Sequence, residues 1–156
     1  MPSYSKYQGE YFLTEQEKIK YNSSKPPYFR SLLEKRFMYY CCNNSNIISW
    51  SNENVVIPYF FEVDKKQHRY IVDFKIKIKN KDNKIEECLI EIKCSKECSL
   101  PIKPKTNNKK AQNRYAEEVV TFIKNQNKWQ AANEYCKKNN MKFLVVTEKD
   151  LYNDKY

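Results

Sequence analysis

The sequence predicts an α/β fold, a central sheet flanked by helices, and two observations point to it. One is the stretch from Tyr70 to Cys94, which alternates apolar and polar residues at a period of two around a polar cluster at Asn80 to Lys84. The other is helical spacing on both sides of that stretch, with Phe29, Leu33 and Phe37 before it and Tyr115, Val119, Phe122 and Ile123 after it. A chain of 156 residues suits one domain with a real core. The division expected is an N-terminal arm over residues 1–27 and a single domain over residues 28–156.

The arm is rich in tyrosine, holds the only glycine, Gly9, and shows no sustained periodicity, so it should wrap the domain and pack by its aromatic rings. After Pro26 and Pro27, a helix is predicted from Tyr28 to Cys42. Ser31 and Glu34 stand three apart near its start, the spacing of a capping box, in which Glu34 would do no more than satisfy backbone donors. Asn43 to Asn46 ends the helix. Ile47–Trp50 and Asn54–Phe61 read as two short strands, Pro58 marking an edge or a bend in the second, and Glu62 to Gln67 as a loop.

The hairpin itself has a testable register, since a slip of one residue would turn every side chain of a strand to the wrong face. Tyr70, Val72, Phe74, Ile76 and Ile78 share one face. If Lys79 pairs with Ile85, then Ile76 meets Cys88, Phe74 meets Ile90 and Val72 meets Ile92, an apolar set throughout. On the other face Lys77 meets Glu87, and Asp73 meets Glu91. Opposed carboxylates roughly 5 Å apart repel. A divalent cation between them would account for the placement, because hard ions such as Mg²⁺ take carboxylate oxygens. The alternative is a solvated sheet face whose lysines neutralise both acids.

Beyond the hairpin, Ser95 to Lys110 carries Pro101, Pro104 and five lysines against one glutamate, as an exposed loop able to follow a phosphate backbone would. A merely solvated loop is the plainer alternative. Ala111 to Asn139 is helical, and the β-branched run Val119–Thr121 with Asn125 as a plausible N-cap divides it into two helices. Gln126 and Lys128 then fall at a helix start, where free amides attract phosphate, or in an ordinary solvated first turn. Lys142 to Thr147 reads as a strand and Glu148 to Leu151 as a last helical turn.

Lys and Arg number 29 against 19 Asp and Glu, a formal net charge of +10, which implies a polyanionic partner: nucleic acid first, an anionic membrane surface second. With no apolar run near 18 residues and no signal-peptide pattern, the expected setting is intracellular. Of the six cysteines, Cys88 and Cys94 fall on the predicted buried face, which suits reduced thiols packed as small hydrophobes. A zinc site from Cys94, Cys98 and His68 would lack a second paired couple, and the bland reading is preferred.

The order helix, strand, strand, strand, helix, strand, with Glu34 on the first helix, Asp73 on one core strand and Glu91-Ile92-Lys93 on the next, resembles the PD-(D/E)XK nuclease superfamily. That resemblance implies a restriction-endonuclease-like core with a mixed central sheet. Further blocks are similar to the head completion nucleases of T-even-type tailed phages. They include Arg30-Ser31-x-x-Glu34, Asn46-Ile47-Ile48-x-Trp50-Ser51, Val55-Val56-Ile57-Pro58-Tyr59, Gln67-His68-Arg69-Tyr70-x-Val72-Asp73-Phe74, Leu89-Ile90-Glu91-x-Lys93 and Asn125-Gln126-x-Lys128-Trp129. They cover most of the chain from Tyr28 onward. Val72 stands where the superfamily often has proline before the aspartate.

The resemblance implies a metal-dependent DNA nuclease acting in phage head completion and head–tail joining, in the host cytoplasm and in association with the virion. Asp73, Glu91 and the backbone carbonyl of Ile92 would hold Mg²⁺, with Mn²⁺ as a substitute. Lys93 would orient or deprotonate the attacking water, and Glu34 would complete the metal shell through water or hold a second ion. Double-stranded DNA would be contacted through its phosphates by Lys105, Lys109, Lys110, Arg114, Gln126 and Lys128. Portal or neck proteins are the expected protein partners, and no membrane is. The alternative from another class is a virion assembly protein that binds DNA or portal without catalysis.

Overall fold

The computed structural model describes residues 7–152. A four-stranded sheet in the order β3-β4-β5-β6 forms its centre, built from β3 (Ile47–Phe61), β4 (Lys66–Lys79), β5 (Ile85–Ile92) and β6 (Lys142–Val146). The first three strands are antiparallel and β6 lies parallel to β5, so the sheet is mixed, as the fold class expected. A parallel neighbour requires a long crossover. The crossover is supplied by the loop after Lys93 and by α2 (Lys109–Lys138). No helix among the described residues is long and apolar enough to cross a membrane.

The hairpin register holds from its turn inward: Lys79 faces Ile85, Lys77 faces Glu87, Ile76 faces Cys88 and Phe74 faces Ile90. Asn80 closes the turn by accepting from the amides of Asp82 and Lys84 with its side-chain oxygen, and Asn83 takes the left-handed conformation at φ 59°. Beyond Phe74 and Ile90 the pairing stops, so the expected Val72–Ile92 and Asp73–Glu91 ladder pairs do not form. From there to its N-terminal end β4 pairs with β3 alone. A two-stranded ribbon twists more than a wide sheet. One alternating face of β4 consequently serves two cores. Phe74 and Ile76 join α1 (Leu32–Asn43), with Phe37, Met38, Cys41 and Trp50, whereas Tyr70 and Val72 join α2, with Ile57, Tyr59, Leu89, Ala132 and Cys136. β5, between the two helices, is buried on both faces at Leu89 and Ile90.

The two short strands expected before the hairpin are one long strand carrying a bulge. Asn52 faces Phe74 and Val55 faces Val72, which leaves Glu53 and Asn54 opposite the single residue Asp73, with Glu53 at φ 51°. An extra residue of this kind bends the strand and raises its local twist. The buried Asn52 ties the bulge together, its Nδ2 donating to the Asp73 carbonyl (3.1 Å) and its Oδ1 accepting from the Tyr28 amide (2.8 Å). Pro58 does lie on an edge strand. β4 begins at Lys66, four residues earlier than the alternation alone suggested.

Three further expectations are corrected. The first helix starts at Leu32 behind an N-cap at Ser31, because Tyr28–Phe29 forms strand β2 against β1 (Gly9–Glu10). The stretch expected to hold two helices, Ala111 to Asn139, is one, α2, capped by Asn108 and Asn139 and running unbroken through Asn125. Burial of Asn125, Ala132 and Cys136 overrides the weak propensity of the β-branched run. Cys94 is exposed rather than buried, because the strand ends at Ile92 and the chain turns into a 3-10 helix at Ser95–Cys98; all six thiols are free.

The first six residues of the expected arm lie outside the described ones. From residue 7 onward that segment follows the domain: Tyr21 packs on Trp50 (ring centroids 4.7 Å apart), and the backbone of Lys20 and Asn22 bonds Trp50 along the outer edge of β3. Covering an edge strand removes a template for aggregation. The last helical turn, α3 (Glu148–Leu151), begins with a capping box from Thr147 to Asp150.

Asn52→Ala removes both bonds that fasten the bulge and leaves the part-buried Tyr28 amide and Asp73 carbonyl without them. It is expected to cost about 1–3 kcal/mol in urea denaturation. An unchanged midpoint would show that the bulge is held by other contacts.

Candidate active site

Asp73 stands where β4 parts from β5, opposite the bulge of β3. In place of a main-chain carbonyl, its own Oδ2 accepts the Ile92 amide at 2.8 Å. Glu91, one residue before that amide, is 4% exposed, and its charge acts on Asp73. The two acids are therefore neighbours, as the register implied, but through a side-chain bridge across parting strands rather than as a ladder pair.

Glu91 is held at both oxygens. Its Oε2 accepts a short hydrogen bond from the Tyr70 hydroxyl, and its Oε1 lies 3.8 Å from Lys93 Nζ. Tyr70 is itself buried, and its hydroxyl is pushed far above the ordinary phenol range by burial and by the adjacent Glu91, so it acts as a donor. Lys93 sits at the end of β5 with its side chain 23% exposed, at the border of solvent.

Glu34 reaches the same acids from α1. The capping role is present: its amide donates to Ser31 Oγ (3.1 Å) and its Oε2 accepts the Arg30 amide (2.9 Å). Its carboxylate also acts on Asp73, so the two sequence alternatives for Glu34 are compatible. Burial is the main cause of an Asp73 pKa raised well above the usual range, with the charge of Glu91 and then that of Glu34 adding to it. The Ile92 amide and Lys93 oppose these effects without cancelling them. The Glu34 carboxyl is likewise raised, mainly by burial, and Glu53 in the bulge contributes while Arg30 pulls the other way. Arg30 is committed elsewhere, in a forked pair with Glu53 at 2.6 and 3.2 Å.

The remaining expected residues divide. Lys105, Lys109 and Lys110 are exposed around the true start of α2, so the helix end that sequence placed near Asn125 lies beside these lysines instead. Arg114 is exposed in a pair with Glu118 at 3.2 Å. Gln126 and Lys128 are not at a helix start: they lie within α2, whose amides there are used internally, and no helix-end phosphate site exists at them. Gln126 is exposed. Lys128 instead leans into the acid site, its Nζ 5.4 Å from the Tyr70 ring centroid, and burial pulls its pKa down while Glu91 and Asp73 hold it up.

Sequence reasoning missed four participants. The alternation alone marks Tyr70 as core, and only its placement where the strands part reveals the bond to Glu91. Lys128 was assigned to another role. Asn52 and Glu53 carried a signal, the polar run Ser51-Asn52-Glu53-Asn54 between two apolar stretches, which marks a bulge as well as it marks a turn.

This donor set suits a hard divalent cation, because the charges of Glu91 and Glu34 push the Asp73 pKa up and a positive ion offsets them. Among the described residues, no group of three or more His, Cys, Asp or Glu side chains is arranged to hold a metal. An ion between Asp73 and Glu91 would thus complete its shell from main-chain oxygen and water. His68 is engaged with Asp64 at 2.6 Å and stacks on Tyr59.

An acid where a strand leaves the sheet, Glu-x-Lys on its neighbour and a glutamate from the first helix, on a mixed sheet, match the pattern of the PD-(D/E)XK nucleases. Comparison with known proteins agrees. The family of TnsA-like endonuclease N-terminal domains matches residues 44–148, which include Asp73, Glu91 and Lys93. The head completion nuclease of Enterobacteria phage T4 is 36% identical over 147 residues, 94% of this chain and 87% of that protein. The chain belongs to this family of nucleases.

The raised Asp73 pKa has a consequence for stability without metal. The folded state binds that proton more readily than the unfolded chain, so the contribution favours folding below the unfolded carboxyl pKa and is lost as pH rises through the folded value. Asp73→Asn keeps an acceptor for the Ile92 amide and removes the charge. In EDTA at pH 8 it is expected to raise the melting temperature by roughly 2–4 °C or more, with the gain shrinking toward pH 4. An equal or lower melting temperature at pH 8 would show that the carboxylate carries no burial penalty.

Proposed function

We propose that this nuclease hydrolyses phosphodiester bonds of double-stranded DNA with Mg²⁺, or Mn²⁺ in its place, held by Asp73, Glu91 and the Ile92 carbonyl. The observation that carries the proposal is the Asp73–Glu91 pair where β4 and β5 separate, Asp73 half-buried and Glu91 buried, with Lys93 3.8 Å from Glu91. A bound divalent ion supplies Lewis-acid polarisation of the phosphoryl group and acidifies water.

The chain's own residues do the rest. Asp73 is oriented by the Ile92 amide and Glu91 by the Tyr70 hydroxyl, so neither carboxylate has to be ordered when substrate arrives. Lys93 Nζ, at the solvent border, orients the attacking water, takes its proton or hands it on, and offsets charge that builds on the phosphate oxygens. Glu34 reaches the site from the side of the bulge and binds through water. Lys128 adds positive charge on the α2 side. Lys105, Lys109, Lys110 and Arg114 contact phosphates without reading sequence, consistent with the net charge of +10.

The match to an endonuclease family supports cutting within a strand. Identity of 36% to a head completion nuclease supports a role at the same step of phage assembly. The reading extends to work in the host cytoplasm and on the virion, with portal or neck proteins as partners.

Supercoiled plasmid is the direct substrate. With Mg²⁺ the wild-type protein is expected to nick and linearise it, and with EDTA to bind without cutting. Asp73→Ala and Lys93→Ala should each lose roughly a hundredfold or more in rate while retaining DNA affinity. Cleavage that survives Asp73→Ala, or that needs no divalent ion, would leave the non-catalytic DNA- or portal-binding assembly role.

A further inference from the structure

The loop that leaves the active-site strand carries two large apolar side chains in open solvent. Leu100 is 75% exposed and Ile102 88% exposed, although full burial of such a side chain is worth about 1.5–3 kcal/mol. They lie in Ser99-Leu100-Pro101-Ile102-Lys103-Pro104-Lys105, with Lys96 before and Lys109 and Lys110 after, and Glu97 as the one acid.

We propose that this segment is a wedge for DNA, in which Leu100 and Ile102 enter between base steps while the surrounding lysines hold the flanking phosphates. The proposal rests on the nuclease reading and deepens it, naming the DNA it prefers.

Four observations support it. The base of the loop is fastened, since the Ser95 amide and hydroxyl both donate to the Glu148 carboxylate. Its tip is stiff and cannot add to a sheet, because two prolines fix φ and lack amide donors. The charge around the apolar tip complements phosphate. Phe12 and Ile19 are comparably exposed, but Glu10, Glu15 and Glu17 stand near them, and of the two lysines flanking Ile19, Lys18 is paired with Glu15 and Lys20 donates to the Asn44 carbonyl. The tip also has the right reach. Leu100 lies seven positions after Lys93, so it is at most about 25 Å from that residue. At 3.4 Å per base pair this is about seven steps from the phosphate being cut.

Apolar wedges cost a few kcal/mol per step in lost stacking, and the cost is least where bases are mismatched, unpaired or at flexible pyrimidine–purine steps. A nuclease with such a wedge favours DNA already weakened within that distance of the cut.

The test uses the full chain in EDTA, so that nothing is cut, and two 30-base-pair duplexes carrying 2-aminopurine, one fully paired and one with a central two-base mismatch. Wild type is expected to bind the mismatched duplex at least tenfold more tightly and to raise 2-aminopurine fluorescence. The Leu100→Ser, Ile102→Ser double variant, whose exposed positions leave the fold intact by circular dichroism, should lose the preference and the fluorescence rise. Lys103→Gln, Lys105→Gln should weaken both duplexes equally, leave the preference, and flatten the salt dependence. No preference in wild type, or one that survives the Leu100 and Ile102 changes, overturns the proposal. So does a double variant that keeps its DNA behaviour and loses binding to a portal protein. A wild-type protein that fails to cut plasmid with Mg²⁺ yet shows the fluorescence rise would refute the nuclease mechanism and leave the wedge standing.

Discussion

The bond from the Ile92 amide to the Asp73 carboxylate is the constraint on which the site is built. Antiparallel strands stay together because each main-chain donor finds a main-chain acceptor. Here a side chain takes the place of a carbonyl, so β4 can leave β5 without stranding the amide. The departure is prepared on the far side, where β3 inserts an extra residue opposite Asp73 and Asn52 accepts the work of holding the Asp73 carbonyl. The sheet thereby opens at one point and is braced on both sides of it. The opening places Asp73, Glu91 and Lys93 together, and it also sends Tyr70 toward α2, where its hydroxyl meets Glu91.

Electrostatics explains why so basic a chain concentrates acids here. Asp73, Glu91, Glu34 and Glu53 act on one another through a partly buried region in which their charges are poorly screened. Alone, such an arrangement opposes folding, and Lys93, Lys128 and Arg30 relieve it only in part. Exposed lysines in the loop after β5 and at the start of α2 offer a surface that a polyanion would meet. On the proposed mechanism the chain would draw phosphate in over a positive surface and present it to a cluster of acids, a combination that makes chemical sense with a divalent cation between them.

Much of the hairpin was legible in the sequence because a period of two and a polar turn leave few registers that keep Phe74, Ile76, Cys88 and Ile90 inside. The same register suggested the acid pair beside Lys93, but Asp73 meets β5 through the Ile92 amide and not as a ladder partner of Glu91. What periodicity does not encode is where a ladder stops: Val72 and Ile92 alternate as well as Phe74 and Ile90 do, yet they end in different cores because β4 follows β3. Helix continuity at Asn125 was hidden for a related reason, since packing against the sheet outweighs the local propensity that suggested a break. Lys128 accordingly moved from an imagined helix end to the edge of the acid site. Tyr70 was misjudged because an apolar ring in a core pattern gives no sign of what its hydroxyl meets.

Whether the parted strands grip a cation is decided most directly by titrating Mn²⁺ into the DNA-free protein and counting bound ions by electron paramagnetic resonance. The wild-type chain should take up Mn²⁺ at a site that Mg²⁺ competes away, and Glu91→Gln should abolish or greatly weaken that uptake while the protein stays folded. Equal Mn²⁺ binding by wild type and Glu91→Gln, or none by wild type at millimolar ion, would contradict the account of the acid pair.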